Sequence, residues 1–323
     1  MKLWLKVSVS AGLLVALFVL VPWHQVREAL SRLSPGLWLG VLTGFAAGHV
    51  VGVIKWRSFV NACRGRLQRL DAALCYSAGL FANLCLPSII GGDVLRLGIA
   101  GRLTRRPEAA LWGGVMDRLS DMIALALLAA AGGILSRDQL TGWTAQLLSL
   151  GLVLGIGVAL LGVPLLLRRP IRSWPPRFRR PVARSLVALR RMWQRPAVFA
   201  RGLGLSLAIQ GSFVLLNAWI GRSLGIDVPL SVWFLTWPLA KTAGLLPISL
   251  GGLAVREASL AALLLPFGVP AAQAVVASLL WQTVLIGGGL LGGAIWLVLS
   301  RIRHLPMGMR GGEVGSAGWS VAK

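Results

Sequence analysis

The sequence predicts an all-α polytopic membrane protein: six full transmembrane helices plus two oppositely oriented re-entrant helical hairpins, arranged as an inverted-topology internal repeat. Three observations predict it: an apolar composition, the placement of the basic residues, and a motif that occurs twice. Of 323 residues, 56% are hydrophobic and 13% are charged, and the mean hydropathy is +0.76. Soluble domains carry about a quarter charged residues. No polar stretch is long enough to fold as a second, soluble domain, so residues 1–323 are read as one membrane domain.

Apolar stretches occupy residues 3–22, 37–55, 72–90, 109–134, 144–167, 202–221, 231–250, 253–266 and 271–299. Counted as nine simple spans, they would put the two termini on opposite sides of the membrane. The basic residues argue otherwise. Lys2 and Lys6 precede the first stretch, and no small-residue cleavage site follows it, so that helix is expected to be retained. Lys55, Arg57, Arg64, Arg66 and Arg69 follow the second stretch, and Arg102, Arg105 and Arg106 follow the third. Residues 168–201 hold 11 arginines, and the tail 301–323 carries Arg301, Arg303, Arg310 and Lys323. Together these are 25 of the 33 lysines and arginines, and such residues favour the cytoplasmic side.

Residues 72–100 then have basic flanks at both ends and are expected to enter from the cytoplasm and return to it. The flanks of 231–266 are poor in positive charge, so that segment is expected to enter from, and return to, the outer side. Non-helical backbone at membrane depth is tolerated where protein buries it or where it lines a cavity. Both termini then lie in the cytoplasm. Trp4 and Trp23, and Trp38 and Trp56, bracket the first two stretches and read as part of an interfacial aromatic belt.

The repeated motif is Leu-Pro-x-x-x-Gly-Gly-x-x-x-Arg. One copy runs from Leu86 and Pro87 through Gly91 and Gly92 to Arg96; the other runs from Leu246 and Pro247 through Gly251 and Gly252 to Arg256. The same shift of 160 residues carries 37–55 close to 202–221 and 109–134 close to 271–299, giving a repeat A of about 37–134 and a repeat B of about 202–299. An odd number of full spans between the hairpins makes the two copies inverted. Inverted repeats with interrupted helices mark secondary transporters, whose site lies at the repeat interface. A duplicated scaffold without transport is the alternative. Gly113-Gly114 and Gly132-Gly133 are read as packing glycines.

The motif's chemistry suits an anion. Proline ends the entering helix, because it lacks an N–H. Two glycines let the backbone turn tightly and approach a ligand. A new helix then starts with free amides and a positive dipole end, a ready anion site. Arg96 and Arg256, about one turn further on, add planar guanidinium forks suited to phosphate. Gly91, Gly92, Arg96, Gly251, Gly252 and Arg256 are therefore the candidate phosphate-binding residues. The competing reading is that each arginine pairs with a nearby carboxylate and closes its hairpin.

Asp93, Asp117, Asp121 and Glu257 are the four of the ten acidic residues that fall in apolar stretches. Arg96, Arg118, Lys241 and Arg256 are the basic ones, so internal pairing can neutralise the set. Asp117 and Asp121 share a helix face. They read either as an ion or proton relay or headgroup contact, or as salt bridges to Arg96, Lys241 or Arg256. Asp93, Asp117, Arg118, Asp121, Lys241 and Glu257 are thus coupling or ion-pair candidates. His49 reads as a hydrogen-bonded packing residue.

The formal charge of +23 would suggest nucleic acid in a soluble chain. Here it follows from the positive-inside rule, and no nucleic-acid partner is expected. Within the basic loop 168–201, Val182, Leu186, Leu189 and Trp193 fall at helical spacing, a pattern able to lie on anionic lipid. Three cysteines and three histidines give neither a disulfide framework nor a metal site. No phosphate-binding P-loop, G-x-S-x-G or H-E-x-x-H sequence occurs, so no cofactor, no metal and no enzymatic activity are expected.

Leu86-Pro-x-x-x-Gly-Gly-Asp-x-x-Arg96, Asp117-Arg118 and Gly251-Gly252-x-x-x-Arg256-Glu257 together resemble the transmembrane region of lysylphosphatidylglycerol synthases, the flippase-like domain family, over roughly residues 5–300. The resemblance implies a lipid-translocating protein of the bacterial inner membrane that handles lipids with phosphate headgroups. The family's full synthases add a soluble aminoacyltransferase domain. The sequence ends about 20 residues after its last apolar stretch, so that domain, lysyl transfer and the lysyl lipid are not carried over. Relatives without that domain are associated with polyprenyl-phosphate glycans, hopanoids or phospholipids. The expected function is a flippase for a phospholipid or a polyprenyl-phosphate-linked lipid. The alternatives are a membrane-embedded enzyme or accessory subunit in polyprenyl-phosphate, glycolipid or hopanoid metabolism, and a scaffold for a lipid-synthesis complex. Lipid-biosynthesis enzymes or glycosyltransferases are the possible protein partners.

Overall fold

The computed structural model describes residues 34–85, 91–136, 194–245 and 254–303, together with 183, 186–188, 190 and 191. All regular structure among them is helical. In chain order the helices are α1 (Pro35–Ala62), α2 (Arg69–Cys85), α3 (Gly91–Thr104), α4 (Pro107–Leu135), α5 (Pro196–Ser223), α6 (Leu230–Gly244), α7 (Val255–Leu264) and α8 (Ala271–Ile302). A short 3-10 turn, Leu265–Phe267, follows α7.

Local sequence sets the helix starts. Proline opens α1, α4 and α5, where its missing N–H costs nothing and its fixed φ suits the first turn. Ser34 caps α1 by accepting from the Leu37 amide at 3.1 Å. The ends turn sharply. Arg64 and Arg105 adopt positive φ after α1 and before α4, and Gly225 and Gly268 do so after α5 and the 3-10 turn.

Four of these helices, α1, α4, α5 and α8, are long and apolar enough to cross a membrane. Their outer surfaces carry exposed Val50, Ile54, Leu127, Ile134, Leu215, Leu290 and Val298, while charged residues are buried inside. That inversion of the soluble pattern is what a lipid solvent produces. The chain is a multi-pass membrane protein. The expected spans at 3–22 and 144–167, the loop 168–182 and the tail 304–323 lie outside the described residues.

The other four helices are shorter. At 1.5 Å per residue, α3 with 14 residues and α7 with 10 span about 21 Å and about 15 Å, against a hydrocarbon core of about 30 Å. They pack on their predecessors, α2 on α3 and α6 on α7. In the first pair Gly79 faces Gly92 so closely that a side chain on Gly92 would run into the Gly79 carbonyl and Asn83.

The eight helices form two runs of four in the same order. Each helix of the second run starts 161–164 residues after its counterpart in the first. Packing between the runs is reciprocal: α1 lies on α5, α2 on α8, and α6 on α4. Gly132 of α4 sits against the backbone of α6, and Gly292 of α8 against the backbone of α2. Small residues let helix backbones approach without a hydrophobic drive, which lipid does not supply.

Two sequence expectations are corrected. The second span does not stop at the basic residue Lys55. Helix α1 continues to Ala62, and Lys55 is 2% exposed in its interior. Trp56, expected at a membrane interface, is fully buried. The cause is shared: the Lys55 charge is matched inside the protein by carboxylates of α4, so the helix need not end there.

Candidate functional site

Between the two helix pairs lies a cavity of about 330 Å³. Walls come from α1, α2, α3, α4, α5, α6, α7 and α8, so both runs build it. Its apolar side is an aromatic cluster. Phe45 stacks on Phe213 at 5.3 Å, and Trp281 meets Phe213 at 5.7 Å and Trp237 at 5.4 Å, each edge-on. Its polar side holds five cations, Lys55, Arg96, Arg118, Lys241 and Arg256, with Asp93 and Asp121.

The motif arginines are both here, on α3 and α7. Arg96 lies in the corner made by the tilted rings of Trp56, at 4.7 Å, and Tyr76, at 5.0 Å. Its Nη2 reaches Asp117 Oδ2 at 3.2 Å and Asp93 Oδ1 at 3.0 Å. Arg256 donates from Nη2 to Glu257 Oε1 at 2.6 Å and Gln282 Oε1 at 3.0 Å, and from Nε to Ser278 Oγ at 3.3 Å. Each arginine therefore pairs with a carboxylate and also faces the cavity; the two readings of the motif are compatible.

The first motif's helix end is partly occupied. The Gly92 amide donates to Asn83 Oδ1 at 3.1 Å. Gly91 opens α3. Gly251 and Gly252 lie outside the described residues. Ala254, just after them, holds a positive φ of 67°, a conformation costly for a residue with a Cβ.

Behind the cavity, Lys55, Asp117 and Asp121 form a buried network. Lys55 Nζ lies 3.1 Å from Asp117 Oδ1 and 2.5 Å from Asp121 Oδ1, and donates to Ser206 Oγ at 2.9 Å. The Ser206 hydroxyl also lies 2.9 Å from Asp121 Oδ1 and 3.0 Å from Ser120 Oγ. Arg118, half-exposed, clasps Asp93 with Nε at 2.6 Å and Nη2 at 2.7 Å. A continuous chain of ion pairs thus runs Arg118–Asp93–Arg96–Asp117–Lys55–Asp121. The shared helix face of Asp117 and Asp121 is used for salt bridges, to Arg96 and to Lys55, the residue that sequence reasoning placed in a loop.

Lys241 has different company. It lies one turn from Trp237 on α6 and donates to Gln210 Oε1 at 2.7 Å, with the Phe213 ring 5.3 Å away. Among the described residues it has no carboxylate partner. His49 lies 3.2 Å from the Tyr76 hydroxyl and packs edge-on against Phe45. Among the described residues no three His, Cys, Asp or Glu side chains gather to hold a metal ion.

A helical membrane fold with paired charges around a midchain cavity is compatible with several families. The model of the lysylphosphatidylglycerol synthase TM region matches residues 3–293. The chain belongs to that family. No curated protein and no solved structure matches it. The lysylphosphatidylglycerol synthase TM region is a membrane domain, and its match covers both motif copies, every helix described here up to the last turns of α8, and all five cavity cations.

Sequence reasoning missed Lys55, Gln210, Ser206, Tyr76 and Gln282. A signal for Lys55 existed: Trp56, Phe59, Val60 and Cys63 continue a helical apolar spacing beyond it. For Gln210, Ser206 and Gln282 none existed, since neutral polar residues in a span carry no sign of their partners.

Proposed function

We propose that this protein is a flippase that moves a phosphate-bearing lipid, a phospholipid or a polyprenyl-phosphate-linked lipid, across the bacterial inner membrane. The observation that carries the reading is the gathering of Arg96, Arg256 and three further cations around one cavity between the two short-helix pairs. Guanidinium groups in a water-poor cavity bind phosphate oxygens strongly. Acyl or prenyl chains stay in lipid while the headgroup enters the cavity. Family membership supports a membrane role of this kind.

In this reading α2–α3 and α6–α7 are re-entrant hairpins from opposite sides, six full spans complete the domain, and both termini are cytoplasmic. The two runs of four helices are an inverted duplication, and alternating access follows from rocking one run against the other. The ion-pair chain ties α1, α3 and α4 of the first run together, so that run moves as one body in such a motion.

The test is reconstitution in liposomes with headgroup-labelled lipids, scoring transbilayer movement. Wild-type protein should move at least one phosphate-bearing lipid, and Arg256→Ala should abolish that movement while the protein stays folded. Folded wild-type protein that moves no phospholipid and no polyprenyl phosphate would sink the reading.

A further inference from the structure

The cavity's charges divide into two groups that balance differently. Lys55, Arg96 and Arg118 face Asp93, Asp117 and Asp121, one carboxylate for each cation. That group is neutral, and each of its charges has an opposite one within 3.2 Å. Lys241 and Arg256 have only Glu257 between them, and Glu257 is bound to Arg256. The described cavity therefore carries one formal positive charge in excess, and it resides at Lys241.

Unused donors lie in the same place. Among the described residues the Trp237 indole N–H is buried with no partner, and so is Arg96 Nε; both side chains line the cavity. Trp237 is 1% exposed and one turn from Lys241. A buried N–H without an acceptor is costly, and a ligand oxygen would relieve it. Gln282, which accepts from Arg256, and Gln210, which accepts from Lys241, each carry an amide N–H₂ as well.

We propose that Lys241, Arg256 and the Trp237 N–H form the headgroup subsite, and that it selects lipids whose headgroup carries one net negative charge. Phosphodiesters fit this rule. Phosphomonoesters and diphosphates bring a second charge that no described cation is free to meet, and an unmatched charge in a low-dielectric cavity is strongly disfavoured. Zwitterionic headgroups bring an ammonium beside Lys241 and Arg256, and among the described residues the carboxylate oxygen there without a partner, Glu257 Oε2, is buried on a residue that does not line the cavity. This rests on the transport reading above, yet it concerns binding, which can be measured separately.

The experiment uses the full chain in detergent with three short-chain probes, dihexanoyl phosphatidylglycerol, dihexanoyl phosphatidate and dihexanoyl phosphatidylcholine, read by ligand-dependent thermal shift. Phosphatidylglycerol should bind at least about tenfold tighter than the other two, and Lys241→Gln should remove that advantage while Lys241→Arg keeps it. Glu257→Gln adds one net positive charge and should move the preference to phosphatidate. Equal binding of all three probes by wild-type protein overturns the proposal, as does wild-type affinity for phosphatidylglycerol in folded Lys241→Gln. Should Lys241→Gln not fold, the wild-type probe series and Glu257→Gln decide. If lipid moves in liposomes but the probes bind alike, the charge rule falls and transport stands. If phosphatidylglycerol binds as expected but no lipid crosses, transport falls and the subsite stands.

Discussion

The two runs of helices carry the same motif arginine but surround it differently. In the first run Arg96 is held by two ring faces and two carboxylates, and its neighbours extend the pairing to Lys55 and Asp121. In the second run Arg256 has one carboxylate and is otherwise held by a serine and a glutamine, and Lys241 nearby has only an amide. The first arrangement behaves as a lock, since every charge depends on the next. The second leaves donor capacity facing the cavity. The two runs share their helix order, and their difference lies in carboxylates: Asp117 and Asp121 correspond, 160 residues on, to Ala277 and Trp281.

The largest effect should come from breaking the lock at its centre. Asp117→Ala takes one carboxylate from each of Lys55 and Arg96, leaving them Asp121 and Asp93 and leaving the network with one uncompensated positive charge, and removing one partner of a buried pair costs about 3–5 kcal/mol. Detergent-solubilised protein should show a correspondingly large loss of thermal stability. Lys55→Met combined with Asp121→Leu should cost much less than the sum of the two single changes, by a double-mutant cycle on the same measurement. Strict additivity would mean that the network does not act as a unit.

Next in size are the reciprocal glycine contacts. Gly132→Leu and Gly292→Leu each push a side chain into a facing helix backbone, and overpacking of this kind costs about 1–3 kcal/mol. Because the two positions are equivalent across the runs, the two losses should be similar. A large loss at one and none at the other would break the equivalence.

Arg96→Lys sharpens the comparison from the other side. Lysine keeps the charge but loses the planar guanidinium that lies against Trp56 and Tyr76, a contact worth about 2 kcal/mol when desolvated. Thermal stability should fall modestly. Arg256→Lys, with no stacking ring recorded among the described residues, should lose less. The smallest effect belongs to Arg118→Ala: Arg118 is half-exposed at the end of the ion-pair chain, and Asp93 keeps Arg96 as a partner without it.

Much of this was legible in the sequence. Apolar stretches located α1, α4, α5 and α8, and the duplicated motif pointed to Arg96 and Arg256, which share one cavity. Residues 86–90 and 246–253, where the sequence pattern expects the helix breaks, lie outside the described residues. What escaped was pairing at long range. Lys55 meets Asp121 across 66 residues and Ser206 across 151. A charge rule that sorts lysines into loops assigns Lys55 to water, because it sees no partner that far away. Lys241 was seen as an ion-pair candidate for the same local reason, yet its recorded partner is Gln210.

Reciprocal packing also has a consequence for how the chain is made. Helix α2 finds its neighbour α8 only after roughly 190 more residues have left the ribosome. Until then the surface of α2 with Ser77, Leu80 and Phe81 lacks the helix that closes on it through Gly292 and Gly293. During that interval a nascent chain must rely on lipid, an insertase or a chaperone to shield it. Synthesis that stalls before Ala271 should therefore leave a product recognised by membrane quality control, even though seven of the eight described helices have been translated.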